Sequence, residues 1–266
     1  MLLEINNIKL SFTNAHNETL NLLNGVTLGV EEGKITALVG GNGTGKTTLF
    51  NIISGFEKNY TGDIVFQGKN LNNLPPYRIA RQGIGRLFQG GQLLEGLTLM
   101  ENMKMAYIPS LGSLETASGQ RPAMQRPKSL KVKQAETEMR ARKIVADIFG
   151  VNSEYVNRMD DEASSFSYGQ QRLLSLAGLL MSKHKLLLLD EPTSGVDPDN
   201  IEMIGNIIRD MVKKERLTVL LIEHNMRFVR GVADICAYLD KGIITKVGPA
   251  VEILDDEGVR NSYLGL

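Results

Sequence analysis

The chain is poor in the features that would mark it as secreted, membrane-spanning or strongly charged. It has one cysteine in 266 residues. No intrachain disulfide can form, and the place of Cys236 in the apolar stretch VADICAYL assigns it to core packing rather than reactivity. No uninterrupted apolar run approaches the roughly 18 residues of a membrane span. The opening MLLEINNIKL carries an acid and a lysine where a signal peptide would be apolar, so any link to a membrane is expected to come through a partner. Net charge is also missing, with thirty Lys+Arg against thirty Asp+Glu. Nothing in that balance suggests wholesale electrostatic binding to nucleic acid, and a local patch stays open. There is no internal repeat. What remains is 42% hydrophobic and 23% charged, the composition of a folded globular chain, long enough for one large domain or two small ones.

Residues 40–48 read GGNGTGKTT and directly follow the apolar run ITALV. Gly40, Gly45, Lys46 and Thr47 satisfy G-x-x-x-x-G-K-[ST], in the context of a strand entering a Gly-rich turn that the phosphate-loop motif requires. Glycines let consecutive backbone N–H groups point inward as an anion cradle at a helix N-terminus. The segment of Gly40, Asn42, Gly43, Thr44, Gly45, Lys46, Thr47 and Thr48 is thus the expected phosphate cradle, with Lys46 on the β and γ phosphates and Thr47 on Mg2+. Taken alone, the motif leaves kinases, GTPases and transport ATPases open.

The start of the chain is strand-rich: LLEINNIKLSF, NGVTLGV and KITALV, with turns at NG and EEGK. A helix TLFNIISGF ends at Gly55, TGDIVFQGKN reads as a hairpin strand, and PPYRIARQ leads into a strand GIGRLF that ends at Gln89. From about 98 to 182 the strand signal disappears. LTLMENMKMAY and VKQAETEMRARKIVADIF carry helical spacing, so this region is expected to be a helical insert. Between them the Pro-, Gly- and Ser-rich IPSLGSLETASGQRPAMQRPKS is expected to be a mobile loop. KLLLLDEP and LTVLLIEH are short apolar runs suited to strands buried on both faces, separated by a helix from Pro198 to Lys214. ADICAYLDKGIITKVG reads as two further strands. Strand, helix, strand with the Gly-rich loop on the first βα turn predicts a parallel α/β core with ligands at the strands' C-terminal ends.

Asp190 and Glu191 end the LLLL run, at the sheet edge where the Gly-rich loop opens. Asp190 is placed to hold Mg2+ through water, and Glu191, unneeded as a ligand, to polarise an attacking water as general base. Upstream, SSFSYGQQRLLSLAGLLM opens a helix at about Gly169. The Ser167 hydroxyl and the helix N–H groups make a second anion site.

One chain with two phosphate sites, in the order phosphate loop, Gln89, SxGQQ, LLLLDEP, SGVD and His224, resembles the ATP-binding cassette superfamily along nearly its whole length. The resemblance implies an α/β fold: a P-loop NTPase core with a mixed, mainly parallel sheet, an antiparallel β subdomain and a helical subdomain, all within a single domain spanning 1–266. It implies head-to-tail pairs, as homodimer or heterodimer, in which each ATP lies between one subunit's phosphate loop and the other's signature turn. Ser167, Gly169 and Gln170 match that trans-acting signature. Gln89 matches a glutamine that touches Mg2+ and water and senses the membrane partner, His224 a histidine on the γ-phosphate, and Ser194 to Asp197 the loop joining the two sites. Phe12 matches an aromatic stacked on adenine, and a plain strand aromatic describes it equally well.

SYGQQR, FNIISGF, IEHNM and YLGL look like the ATPases of branched-chain amino-acid importers, and GIGRLFQ also suits urea and amide importers. The implied function is ATP hydrolysis driving a separate integral membrane permease, on the cytoplasmic face of the membrane, fed by an extracytoplasmic substrate-binding protein and with no nucleic acid. The alternatives are a soluble cassette ATPase of DNA repair or translation, whose usual long coiled coil, zinc-binding cysteine pairs or second cassette are absent here, and a urea, amide or lipid transporter. Tyr168, Gly178 and Gly90-Gly91 depart from the family pattern, the last pair suggesting a pliant coupling loop. Arg121, Arg126, Lys128, Lys131 and Lys133 form a basic cluster open to two readings, a lipid or partner contact and a solvated face. Met100, Met103 and Met105 could line a partner groove or pack between the insert helices.

Overall fold

Alternating apolar residues in LEINNIKLSFT build β1 (Leu3–Thr13), which pairs antiparallel with β2 (Thr19–Val30) and with β4 (Thr61–Phe66). The short β5 (Lys69–Asn70) closes this antiparallel sheet in the order β2-β1-β4-β5. In this computed structural model the described residues are 1–13, 19–90, 93–107 and 130–264. β2 begins five residues earlier than the NGVTLGV pattern indicates, because pairing with β1 carries the strand past the pattern's start.

A second sheet of the described residues has the order β10-β9-β3-β8-β7-β6. Its members are β3 (Ile35–Val39), β6 (Ile84–Leu87), β7 (Leu186–Asp190), β8 (Thr218–Ile222), β9 (Ile235–Asp240) and β10 (Ile243–Pro249). All its pairings are parallel except β9 with β10. β7 and β8 are buried at every position because both faces are covered. Leu186 and Leu188 join the core shared with the antiparallel sheet and α1 (Lys46–Ile53), while Leu187 and Leu189 pack with α6 (Tyr168–Leu179) and α7 (Pro198–Glu215). The mixed, mainly parallel sheet, the antiparallel sheet and the helical segment are those expected from the sequence.

α2 (Pro76–Gln82) leads into β6, and α3 (Leu99–Met105), α4 (Leu130–Phe149), α5 (Glu154–Asn157) and α6 fill the 98–182 segment. Among its described residues the only strand-like pairing is the isolated bridge Thr98–Glu162. Met100 and Met103 are buried in the core of these helices with Val145 and Leu174, so packing describes them, whereas Met105 is exposed. The 108–129 segment, Gly91 and the side chains of Lys131 and Lys133 lie outside the described residues, so the mobile-loop and basic-cluster expectations fall there. Cys236 is buried beside Val229 and Tyr238. The sequence reading has no counterpart for α8 (Met226–Val232), α9 (Ala250–Asp255) and α10 (Glu257–Leu264). They are too short for helical periodicity to show; α8 is set by Asn225, whose side chain accepts from the Phe228 N–H.

Candidate active site

The Gly-rich loop runs from the end of β3 to the start of α1. Gly40 passes so close to the Leu239 carbonyl that no Cβ would fit. Gly43 and Gly45 have φ of 75° and 99°, left-handed values that glycine adopts without cost. Gly45 caps α1 with no side-chain hydrogen bond, which leaves first-turn N–H groups without a side-chain acceptor at the positive end of the helix. Lys46 is 6% exposed. Its Nζ donates to the Gly40 carbonyl at 2.9 Å and the Gly41 carbonyl at 2.7 Å, so the loop is folded around its own ammonium group. Burial lowers the Lys46 pKa, against the opposing pull of Glu191 and Asp190.

A cavity of about 240 Å³ opens at this loop, lined by Leu22, Asn42, Gly43, Gly45, Lys46, Thr47, Thr48, Glu191 and His224. Two clefts along α7 are larger, at about 600 and 540 Å³. Neither contains the Gly-rich loop or Glu191. Parallel pairing brings the ends of β3, β8 and β7 to one edge, and this edge delivers the charged groups. Glu191 sits just beyond β7 with φ of 46°, a strained value for a non-glycine residue, and its N–H donates to the Ile222 carbonyl of β8. Gln89 Nε2 donates to Glu191 Oε2 at 2.8 Å, and His224 Nε2 lies 3.1 Å from Glu191 Oε1. Both carboxylate oxygens of Glu191 thus have partners from two other strand ends.

Asp190 is fully buried. Arg86 Nη2 lies 3.1 Å from its Oδ2, and the Thr47 hydroxyl donates to Oδ1 at 3.4 Å. Burial raises the Asp190 pKa, and the Arg86 guanidinium opposes that rise. Arg86 also donates to Asn51 Oδ1 and Ser54 Oγ of the α1 end and lies over the Phe88 ring, 4.4 Å from its centroid.

The sequence-predicted residues therefore fall into two groups. The phosphate-loop residues, Gln89, Asp190, Glu191 and His224 converge. Phe12 stands on β1, 46% exposed, and is not among the lining residues, where Leu22 of β2 appears instead. Ser167, Gly169 and Gln170 lie at the α6 N-terminus and do not line the cavity. Ser167 Oγ accepts from the Gln170 N–H, and Gln170 Oε1 accepts from the Ser167 N–H. A Cβ on Gly169 would come within 2.9 Å of Asn200 Nδ2 and 3.1 Å of Asp197 Oδ2, so the signature turn rests on the 194–197 loop of its own chain.

Three residues escaped the sequence reading. Besides Arg86, they are Arg172, which is 1% exposed and donates to the carbonyls of Phe88, Asp190, Glu191 and Pro192, and Glu223, which accepts from the Thr193 N–H and hydroxyl and from the His224 and Asn225 N–H groups. A charge embedded in an apolar run, as in GIGRLF, QQRLLSL and LLIEH, was the available signal, because a buried charge requires partners.

Residues 23–194 match the family model described as ABC transporter. The chain is 34% identical over 246 residues, 91% of each chain, to the high-affinity branched-chain amino acid transport ATP-binding protein BraF of Pseudomonas aeruginosa. It is 31% identical over 270 residues to the high-affinity branched-chain amino acid transport ATP-binding protein LivG of Escherichia coli, covering 99% of this chain and 98% of that one. Among solved structures it is similar to the ADP conformation of MJ1267, an ATP-binding cassette of an ABC transporter, with TM-score 0.78 and 28% identity over 100% and 99% of the two chains.

Proposed function

The chain belongs to the ABC transporter family, and from that premise we propose that it powers the import of branched-chain amino acids. It is the ATP-hydrolysing subunit of such a transporter, with the ABC ATPase fold. The observation that carries the hydrolytic reading is the 240 Å³ cavity in which the Gly-rich loop, Glu191 and His224 meet, and the similarity to BraF and LivG supports the substrate class.

In the proposed mechanism, Lys46 exchanges its two carbonyl partners for the β and γ phosphates, and the N–H groups of residues 42–48 complete the cradle. Glu191 accepts the proton of the water whose oxygen bonds to the γ-phosphorus as the bond to the β–γ bridging oxygen breaks and ADP leaves, and His224 donates to the γ-phosphate. Release of Gln89 and His224 from Glu191 accompanies their turn toward water and phosphate. The oxygen donors of Thr47, Asp190 and Gln89 fit a hard divalent cation, and among the described residues no group of three or more His, Cys, Asp and Glu makes an all-protein cage, which suits Mg2+ held partly by phosphate and water. When bound there, Mg2+ would neutralise developing phosphate charge. Phe12 stacks on adenine in this reading, and Ser167, Gly169 and Gln170 act on the nucleotide of a second, head-to-tail subunit.

An apolar groove of about 430 Å³, lined among others by Phe56, Tyr77, Arg86, Phe88, Gly178 and His184, supports docking of a permease on this face. No helix of the described residues is long and apolar enough to cross a membrane, and the proposed location is peripheral, on the cytoplasmic face, with an extracytoplasmic binding protein delivering the substrate. The test is uptake of labelled leucine by cells whose copy of this chain carries Glu191→Gln. Loss of leucine uptake with urea uptake intact is the expected result. Parental leucine uptake would overturn the substrate assignment.

A further inference from the structure

In the signature turn Tyr168 stands in place of the first glycine of the superfamily's Gly-Gly, and this side chain has a definite neighbour. A Cβ built on Gly195 would lie 3.2 Å from Tyr168 Cε1 and 3.6 Å from Cζ, so the ring covers the 194–197 loop at a glycine with φ of 72°. Ring carbons lie nearest that Cβ position, with the hydroxyl oxygen 3.7 Å from it. One residue on, Gly169 is closed in by Asn200 and Asp197. Asp197 in turn caps α7, its Oδ1 accepting from the Asn200 N–H. At each glycine a Cβ would meet a side chain of the other element, so the start of α6 and the loop that starts α7 lie against each other with no room for a side chain at either position. Tyr168 is still 38% exposed, so the ring is not there to fill a core.

We propose that Tyr168 is a positioning residue that fastens the 194–197 loop to the signature turn of its own chain, making the two a single body. The inference rests on the head-to-tail pairing proposed above, in which the signature turn faces the partner's nucleotide and the loop joins the two sites. Under that arrangement a change at one nucleotide moves the loop and the turn together, and the two sites sense each other. Packing is the physical agent: the ring fills the space that a side chain at residue 195 would occupy, so a shift of one element moves against the other.

The test uses the full chain. Tyr168→Ala should lower the Hill coefficient of ATP hydrolysis from about 2 to about 1. It should also speed hydrogen exchange at the Ser194 and Val196 amides several-fold, these being bonded within the loop to Glu191 and Thr193 carbonyls. Affinity of the isolated chain for a fluorescent ATP analogue should not change, because Tyr168 does not line the cavity. Tyr168→Phe keeps the ring carbons and should behave as the parent. Gly195→Ala, which crowds the ring from the other side, should reproduce the loss of cooperativity. Parental cooperativity and exchange in both Tyr168→Ala and Gly195→Ala would overturn the proposal while leaving the pairing intact. If instead the parent hydrolyses ATP without cooperativity and its Glu191→Gln form stays monomeric with ATP, the pairing falls and takes this inference with it.

Discussion

Replacing Arg86 by methionine isolates the buried charge that the nucleotide site depends on. The Arg86–Asp190 pair has side-chain exposures of 6% and 0%, and beyond Arg86 the Asp190 carboxylate has only the Thr47 hydroxyl, at 3.4 Å, as a hydrogen-bonding side chain. Arg86→Met leaves that carboxylate without a counter-charge and removes the donor shared by Asn51 and Ser54. Breaking one side of a buried pair costs about 3–5 kcal/mol. With ~2.1 cal/mol/K of unfolding entropy per residue, about 4 kcal/mol lowers the melting midpoint of a chain this size by roughly 7 °C. The loss depends on pH with a definite sign. Burial holds the folded-state pKa of Asp190 above its ordinary value even against Arg86, and without the guanidinium it rises further. A raised carboxylate pKa favours the fold when protonated, so the deficit should be small below about pH 4 and grow as pH rises through the folded-state value. The double variant Arg86→Met/Asp190→Asn removes both charges and should recover most of the stability. Calorimetry or circular-dichroism melts of the nucleotide-free chain across pH decide the matter. A midpoint shift under about 2 °C at neutral pH, or a double variant as unstable as the single one, would refute the reasoning.

Lys46→Ala should abolish binding of fluorescent ATP, since the buried triphosphate loses a compensating charge worth several kcal/mol; unchanged affinity would sink the assigned pocket. Glu191→Gln should bind ATP as the parent does, stop phosphate release and trap a dimer visible by size-exclusion chromatography, so parental turnover would remove Glu191 from the role of base. Gly169→Asp should keep the ATP affinity of the isolated chain and lose dimer closure and hydrolysis, because the added carboxylate also meets Asp197 of its own chain; a direct loss of ATP affinity would assign the turn to its own pocket. Cys236, buried and with its thiol pKa pushed up to about 12, should react with thiol reagents at pH 8 roughly a thousandfold more slowly in the native chain than in urea, and comparable rates would contradict its place in the core.

The elements legible in the sequence were those whose pattern is short-range. ITALV, LLLLD and TVLLI announce strands buried on both faces, and a Gly-rich turn after the first of them locates the cavity without any knowledge of the rest of the chain. Long-range partnership was not legible. Nothing local in GIGRLF says that Arg86 will meet Asp190, 104 positions away, and nothing in QQRLLSL says that Arg172 will collect four carbonyls from the far ends of β6 and β7. The same limit applies to Phe12: its alternation fixes the strand, but exposure at the end of β1 and the appearance of Leu22 at the cavity are matters of register between β1 and β2. The short α8, α9 and α10 were missed because their boundaries depend on caps and on packing against β9 more than on periodicity.

The polar groups proposed to handle ATP are nearly all engaged with one another in this structure. Lys46 is bonded to the loop's own carbonyls, Glu191 to Gln89 and His224, Asp190 to Arg86 and Thr47, and Ser167 to Gln170. Lys46 and Asp190 are buried and charged, and Glu191 is charged, so each would be costly without a partner. Nucleotide binding on this scheme exchanges hydrogen bonds more than it adds them, so each exchanged bond contributes only the difference between two partners, of order 1 kcal/mol. Most of the gain must then come from charge, the triphosphate against Lys46 and the α1 N-terminus. It follows that substitutions at the hydrogen-bonding residues should alter turnover and closure more than affinity, while substitution of Lys46 should alter affinity first. A Gln89→Ala variant makes the distinction measurable: it frees one Glu191 oxygen without touching the cradle, so ATP affinity measured without Mg2+ should stay at the parental value while kcat with Mg2+ changes. An affinity loss as large as that of Lys46→Ala would mean that the network around Glu191 itself shapes the phosphate cradle.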